Sequence, residues 1–132
     1  MREIHVCPPE PLQRFVTALF QAVGADPDIA EEVGRHLVKA NLSGHDSHGV
    51  IRVAQYFDQI AKGALLPNAR PEIIRGTSVT ALIDAHRGMG HFVTSFALDW
   101  AIQQAGQQGL AAAAIRHASH IGRLGDYTER AG

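Results

Sequence analysis

The sequence predicts a mixed α/β protein in which a helical segment, residues 1–63, is followed by a strand–helix–strand unit, residues 64–132. Two observations support this prediction. Apolar residues recur every three or four positions through the first segment, which is the period of an amphipathic helix. After residue 63, the short apolar runs 79–84 and 110–115 lie on either side of one long helical pattern. With 132 residues, 45% of them hydrophobic, the chain can form a single ordinary core.

Three helices are predicted in the first segment. The first covers residues 8–23, where a cluster of prolines precedes an apolar stripe. The second begins at Asp26 and Pro27, an N-cap residue followed by proline at the first helical position. The third is expected to begin at about Ser47, with Ser47 or the residue before it as its cap, and to end at Gly63.

The second segment is expected to contain one crossover unit. Residues 66–71 form an extended connector, because proline biases the residue before it away from helix. The runs 79–84 and 110–115 are the predicted strands, and 90–108 is the helix between them. Such a unit is expected to be parallel and right-handed. Residues 127–132 resemble the opening of a further helix without a closing cap, so we expect the chain to be part of a longer protein.

Composition and charge exclude several classes of protein. Twelve Lys and Arg residues against thirteen Asp and Glu residues give a net charge of −1, which is unlike the basic surface of a nucleic-acid binder. No apolar run approaches the roughly 20 residues needed to cross a bilayer, and residues 1–6 lack the core of a secretory signal. The single cysteine, Cys7, cannot form an internal disulfide, which fits a reducing compartment. We therefore expect a cytoplasmic protein without nucleic-acid or membrane partners.

The first candidate site is the stretch 44–52, which contains two imidazoles, a carboxylate, a hydroxyl and a guanidinium at a predicted helix start. If that helix begins at Ser47, then His48, Arg52 and Tyr56 follow at intervals of four and share one face. Arg52 could bind a carboxylate through two parallel hydrogen bonds, His48 could exchange a proton with a hydroxyl or carbonyl, and Ser47 could donate to a substrate oxygen. The alternative is that Ser47 only caps the helix and the others form a solvated stripe.

The second candidate site is the stretch 117–123, which follows the second predicted strand. Ligands commonly gather at the carboxyl ends of strands in α/β sheets, so His120 in this loop is a candidate general base. The alternative is a loop histidine that is hydrogen-bonded to the backbone. Together, His48 and His120 predict an active site assembled from two separate segments of the chain.

Both candidate sites contain a His-x-x-His pair, His45 with His48 and His117 with His120. Neutral imidazoles are good ligands for transition metals, so a histidine-rich metal-dependent enzyme is an alternative. The spacing is unspecific, however, and the one cysteine is far away in sequence. We therefore predict no metal site.

The strand-to-helix turn at Gly88 and Gly90 gives a weaker signal. A dinucleotide-binding fingerprint needs a third glycine, and Val93 occupies its place. A tight turn and a helix start explain these glycines more simply. His86 and His91 flank the turn and are expected to be surface or capping residues.

Three stretches, residues 40–49, 63–67 and 119–125, resemble the type 2 malate/L-lactate dehydrogenase family. The similarity runs in the same order along almost the whole chain and is greatest to the hydroxycarboxylate dehydrogenase branch. The resemblance implies the N-terminal portion of an L-sulfolactate/malate dehydrogenase-like fold, which is distinct from the Rossmann fold. The missing third glycine agrees with this. Family members are usually much longer and form homodimers.

The resemblance also implies an activity, the interconversion of small 2-hydroxy and 2-keto acids such as malate or lactate with NAD or NADP. It places substrate binding on Ser47, Arg52 and Tyr56, and proton transfer on His48 or His120. Most nicotinamide contacts are expected after residue 132, so the cofactor-binding residues stay unknown. The alternatives are a noncatalytic helical dimerisation module and the metal-dependent enzyme.

Overall fold

The computed structural model describes residues 6–132 and has the predicted mixed α/β class. Residues 1–5, which begin the predicted helical segment and the stretch without a secretory signal, lie outside the described residues. The helices are α1 (Pro9–Ala22), α2 (Pro27–Leu42), α3 (Val53–Ala61), α4 (Gly90–Gln108) and α5 (Leu124–Ala131). The strands are β1 (Glu72–Gly76), β2 (Thr80–Asp84) and β3 (Ala112–Arg116). None of the helices in this described part is long and apolar enough to cross a membrane.

The helical core lies between α1, α2 and α3. Phe20 of α1 and both Ile29 and Val33 of α2 are completely buried in it. Tyr56 of α3 is also completely buried, with its ring 6.2 Å from that of Phe20. Burial of each large apolar side chain contributes roughly 1.5–3 kcal/mol. Leu65 belongs to the same core, and the division of the chain into domains at residue 63 stays a prediction.

The three strands form one mixed sheet in the order β1-β2-β3. β2 pairs with β3 in parallel, with Leu82 opposite Ala114, so the predicted parallel crossover through α4 is confirmed. β1 pairs with β2 in antiparallel fashion, and the sequence pattern does not predict it. All residues of β1 are exposed and its register shifts between Ile73 and Arg75, so the alternation of buried and exposed side chains that marks a strand is absent.

α4 covers one face of the sheet and has the bounds that the sequence predicts. Ala81 and Ile83 of β2 pack against Val93 and Ala97 of α4 in a second cluster of buried side chains. The helix ends at Gly109, whose φ of 85° lies in the left-handed region that glycine adopts without steric cost. This packing places the first turn of α4 beside the loop that follows β3.

The third helix begins at Val53, so the prediction that it begins at about Ser47 is wrong. Two short 3₁₀ helices, Asp46–His48 and Val50–Arg52, replace its expected first turns. Between them Gly49 is extended, with φ −90° and ψ −155°. The segment that carries the first candidate site is therefore a pair of tight turns that leads into α3.

The side chain of Asn41 explains this break in the helix. Its oxygen accepts the backbone N–H of Val50 at 2.9 Å, and its nitrogen donates to the Asp46 carboxylate at 2.6 Å. Side chains that bond to the backbone in this way compete with the regular helical pattern. Asp46 is occupied by Asn41, and neither it nor Ser47 caps a helix.

Candidate active site

The two candidate sites, which are far apart in sequence, meet in the structure. The rings of His48 and His120 have centroids 5.3 Å apart and are tilted by 33°. The hydroxyl of Tyr56 lies 2.8 Å from Nδ1 of His120, across a separation of 64 residues. Both histidines are half-buried, whereas Tyr56 is completely buried. The loop after β3 and the segment around the start of α3 thus form one cluster.

Ser47 lies beside the first of these histidines. Its hydroxyl oxygen is 3.0 Å from Nδ1 of His48, and both residues belong to the first 3₁₀ helix. A hydroxyl can rotate to donate to an unprotonated ring nitrogen or to accept from a protonated one. Ser47 can therefore orient the His48 imidazole in either of its neutral forms.

Arg52 is held beside the histidines by bonds to its own neighbours. Its Nε donates to the backbone oxygen of Ser47 at 2.5 Å, and its Nη1 donates to the side-chain oxygen of Gln55 at 2.6 Å. Burial lowers the pKa of His120, and the neighbouring Arg52 and His48 lower it further. The predicted stripe on a single helix does not form, because α3 begins only after Arg52, yet the same side chains still come together.

Tyr56 also contacts a histidine that the sequence predicts to lie at the surface or in a cap. Its hydroxyl is 3.5 Å from Nε2 of His91, which is completely buried, so that prediction is wrong. The loop that contains Ser119 lies beside His91. The hydroxyl of Ser119 accepts the N–H of Gly90 at 2.8 Å and donates to the carbonyl of Gly88 at 3.0 Å. The loop after β3 is thereby fixed over the first turn of α4. Burial raises the pKa of Tyr56, which therefore keeps its hydroxyl hydrogen.

A second completely buried imidazole, His36 of α2, lies behind His91 with ring centroids 4.8 Å apart. Its Nε2 accepts the N–H of Arg123 at 2.9 Å, and its Nδ1 lies 3.3 Å from the carboxylate of Asp126. Burial lowers the pKa of His36 to about 4 and also lowers that of His91, so both imidazoles are neutral. His36 is not among the residues predicted from the sequence, although it follows Val33 by three residues on the apolar face of α2.

Asp126 is the centre of a buried cluster of ion pairs. Its carboxylate accepts from Arg35 at 2.7 Å and from Lys39 at 2.8 Å. Although burial alone would raise it, the hydrogen bonds from these two cations lower the pKa of Asp126. Among residues 6–132, Glu32, His36 and Asp126 are the one set of three metal-type ligands that lie close together. The set includes no histidine of the two His-x-x-His pairs, and the cations already balance its carboxylates.

His117 belongs to a different cluster, around the carboxylate of Asp84. Nδ1 of His117 lies 3.1 Å from that carboxylate, and Arg116 donates to the same carboxylate at 2.8 Å. The backbone N–H of His86, whose side chain is exposed as predicted, donates at 2.8 Å. This N–H, followed by the side chains of Arg116 and His117, lowers the pKa of Asp84. His117 and His120 therefore have different partners, a carboxylate and a phenol.

The strand-to-helix turn does not fit the pyrophosphate of a dinucleotide. The N–H of Gly88 donates to the carbonyl of Ala85 at 2.7 Å, and that of Gly90 is taken by Ser119. A Cβ at Gly90 would overlap the backbone oxygens of Ser119 and His120. A phosphate-binding turn needs free N–H groups and open space above them. Packing and hydrogen bonding within the fold therefore explain both glycines.

Comparisons with known proteins give the relationship of the chain. A sequence model of the malate/L-lactate dehydrogenase family matches residues 7–132. The chain is 34% identical over 119 residues to hydroxycarboxylate dehydrogenase B of Escherichia coli O157:H7. The aligned region covers 90% of this chain and 33% of that protein. The chain thus spans about one third of the length of this curated relative.

Solved structures show the same relationship. The sulfolactate dehydrogenase of Methanocaldococcus jannaschii matches with a TM-score of 0.93 and 29% identity, over 96% of this chain and 37% of that one. The malate dehydrogenase of Pyrococcus horikoshii matches with a TM-score of 0.91 and 31% identity, over 96% and 36%. The fold predicted from the motifs is thereby confirmed, and the chain belongs to the malate/L-lactate dehydrogenase family.

Proposed function

We propose that this chain contributes the substrate-binding and proton-transfer residues of a dehydrogenase that interconverts small 2-hydroxy and 2-keto acids, such as malate or lactate, with NAD or NADP. The observation that supports this most is the pairing of the His48 and His120 rings, 5.3 Å apart, near the charge of Arg52. A 2-hydroxy acid needs a cation for its carboxylate and a base for its hydroxyl proton. Relatives described as malate and sulfolactate dehydrogenases support the same class of substrate.

His120 is the proposed proton acceptor. Oxidation of a 2-hydroxy acid removes the proton of the hydroxyl and a hydride from the carbon that bears it, and a nicotinamide, when bound, would supply the hydride acceptor. The imidazole takes the proton, so the products are a 2-keto acid, an imidazolium and the reduced cofactor. Because burial lowers the pKa of His120, its imidazole is neutral and able to accept that proton near neutral pH. General base catalysis of this kind contributes roughly 10²–10⁴-fold in rate.

Arg52 is the proposed partner of the substrate carboxylate. A guanidinium has several N–H donors, and within residues 6–132 two of the Arg52 nitrogens are engaged, by Ser47 and Gln55. Ser47 adds an exposed hydroxyl, and His48 beside it is the proposed donor to the substrate oxygen. Tyr56 is expected from the resemblance to bind substrate. It is completely buried, however, so we propose that it orients the proton acceptor instead.

A hybrid enzyme tests the proposal. Residues 7–132 replace the matched N-terminal third of hydroxycarboxylate dehydrogenase B of Escherichia coli O157:H7, and nicotinamide absorbance is followed with a panel of 2-hydroxy and 2-keto acids. We expect turnover with NAD or NADP that is independent of added zinc. A folded hybrid without turnover, or one that requires zinc, contradicts the proposal.

Substitution of Arg52 gives the sharper test in the same hybrid. Arg52→Lys removes the two-pronged contact with the carboxylate, so we expect KM for the keto acid to rise about tenfold or more. Arg75→Lys is the matched control, because Arg75 lies exposed on β1, and its KM should not change. His120→Gln should lower kcat by roughly 10²–10⁴-fold. Equal KM values for Arg52→Lys and wild type would remove Arg52 from the site.

We propose a homodimeric assembly and a cytoplasmic location for the protein. The family resemblance supports the dimer, and the single cysteine, the exposed Cys7, supports a reducing compartment. Light scattering of the hybrid measures its oligomeric state directly, and a mass close to that of one subunit contradicts the proposed dimer.

A further inference from the structure

The hydroxyl of Tyr56 lies between two imidazoles. It is 2.8 Å from Nδ1 of His120 and 3.5 Å from Nε2 of His91. A hydroxyl has one hydrogen, so it can donate to only one of these nitrogens and must accept from a protonated nitrogen at the other. The direction of the two bonds therefore determines which nitrogen of His120 carries a hydrogen.

Proton transfer by His120 is compatible with one of the two directions. A neutral His120 that accepts a proton at Nε2 must carry its hydrogen on Nδ1, and the imidazolium carries hydrogens on both nitrogens. In both states Nδ1 donates to the oxygen of Tyr56. The hydroxyl hydrogen of Tyr56 then needs another acceptor, and Nε2 of His91 is the other ring nitrogen that contacts this hydroxyl.

His91 has the surroundings of a neutral acceptor. It is completely buried at the first turn of α4, with ring centroids 5.5 Å from Tyr56 and 4.8 Å from His36. Burial, followed by the neighbouring His36 and His120, lowers the pKa of His91 well below its ordinary value. A neutral imidazole always has one unprotonated nitrogen. His91 can therefore accept a hydrogen bond at Nε2 with its own hydrogen on Nδ1, which is buried and has no hydrogen-bond partner among the described residues.

We propose that His91 is a positioning residue that accepts the hydroxyl hydrogen of Tyr56 and thereby keeps Nε2 of His120 free to take the substrate proton. The proposal rests on the proposed function for the identity of that proton. The hydrogen positions themselves are a property of the folded chain, so they can be measured without substrate or cofactor.

NMR of the imidazole ring nitrogens reads these positions in the 132-residue chain. At a pH well above the pKa of His120, we expect Nδ1 of His120 to be protonated and Nε2 to be unprotonated. The opposite pattern in the wild-type chain overturns the proposal, whatever the variants show.

Two variants at one position separate hydrogen bonding from packing. His91→Phe keeps a ring but removes the acceptor, so Tyr56 should donate to His120 and the hydrogen of His120 should move from Nδ1 to Nε2. His91→Gln offers a side-chain oxygen and should leave the hydrogen on Nδ1. In a Tyr56→Phe background, His91→Phe should no longer alter the pattern. A folded His91→Phe chain with the hydrogen still on Nδ1 overturns the proposal.

Kinetics of the hybrid distinguish this proposal from the proposed function. If the hybrid is inactive but Nδ1 of His120 is protonated in the 132-residue chain, the proposed function is contradicted and the positioning by His91 is supported. In an active hybrid, His91→Phe should lower kcat at least tenfold with KM unchanged, and His91→Gln should restore most of it. A wild-type kcat in His91→Phe overturns the positioning role and leaves the function standing.

Discussion

At Gly49 only a hydrogen atom fits in the place where other residues carry a Cβ. A Cβ at this position would overlap the amide of Asn41. The same amide bonds to the backbone of Val50 and to the carboxylate of Asp46. Asn41 and Gly49 therefore determine together the backbone turn that carries His48.

Gly49→Ala is expected to lower the free energy of unfolding by about 1–3 kcal/mol, because relief of the overlap must displace a bonded side chain. Urea denaturation followed by circular dichroism measures the loss. Gly106→Ala is the control, since Gly106 lies in α4 with nothing within 4 Å of its added Cβ. That change should stabilise the chain by about 0.5–1 kcal/mol. Equal losses in both variants would contradict the packing role of Gly49.

Among single residues, the ones that could be predicted to lie together are those whose chemistry stands out at the ends of elements. The sequence indicates Ser47, His48, Arg52 and His120 because proton-transfer and anion-binding groups gather there at the predicted ends of a helix and a strand. His91 could not be identified in the same way. Its burial depends on a loop that closes over α4 from 29 residues away, and no local pattern reports that closure.

At the scale of elements, a set of ion pairs joins α5 to α2. Asp126 is 1% exposed and accepts from both Arg35 and Lys39. Glu129 pairs with Lys39 as well, at 2.9 Å. Tyr127 is the other buried side chain of α5. The last helix is therefore attached through one buried carboxylate and one buried aromatic ring.

Asp126→Asn is expected to lower the free energy of unfolding by about 1.5–3 kcal/mol, because the buried side chain loses its charged hydrogen bonds with Arg35 and Lys39. Asp58→Asn is the matched control. Asp58 pairs with Lys62 on the exposed side of α3, so its loss should stay below about 1 kcal/mol. Denaturant midpoints of the two variants measure the difference, and equal midpoints would show that Asp126 does not hold α5.

Among the elements, those with a regular apolar period could be predicted from the sequence, whereas those in which the period is interrupted could not. α4 and the two parallel strands follow apolar patterns that have no competitor, so the sequence predicts them closely. β1 has a shifted register and no buried face, which removes the pattern. The start of α3 depends on a bond from Asn41 of the preceding helix, and helix-start signals in the local sequence do not contain that information.

At the scale of the whole molecule, burial of neutral imidazoles couples folding to pH. The pKa of His36 is about 4 in the folded chain against 6.5 for a free imidazole, because burial outweighs the attraction of Asp126. Between these values the unfolded chain binds more protons than the folded chain, so acidification destabilises the fold. His91, whose pKa is lowered for the same reason, acts in the same direction.

Because of His36, the free energy of unfolding is expected to fall by about 3 kcal/mol between pH 6.5 and pH 4. Urea midpoints at a series of pH values measure the slope. His36→Gln should flatten that slope, whereas His45→Gln, which removes an exposed imidazole, should preserve it. An unchanged slope in a folded His36→Gln chain would contradict the assignment.

The contact between Tyr56 and His120 joins parts of the chain that are 64 residues apart. Neither the helical half nor the sheet half can align these rings by itself. A partly folded chain would contain the Tyr56 hydroxyl and the His120 imidazole but would not hold them in contact. The arrangement of these rings therefore exists only when the two halves of the chain are packed against each other, and any change that loosens this packing disperses the cluster without altering one of its side chains.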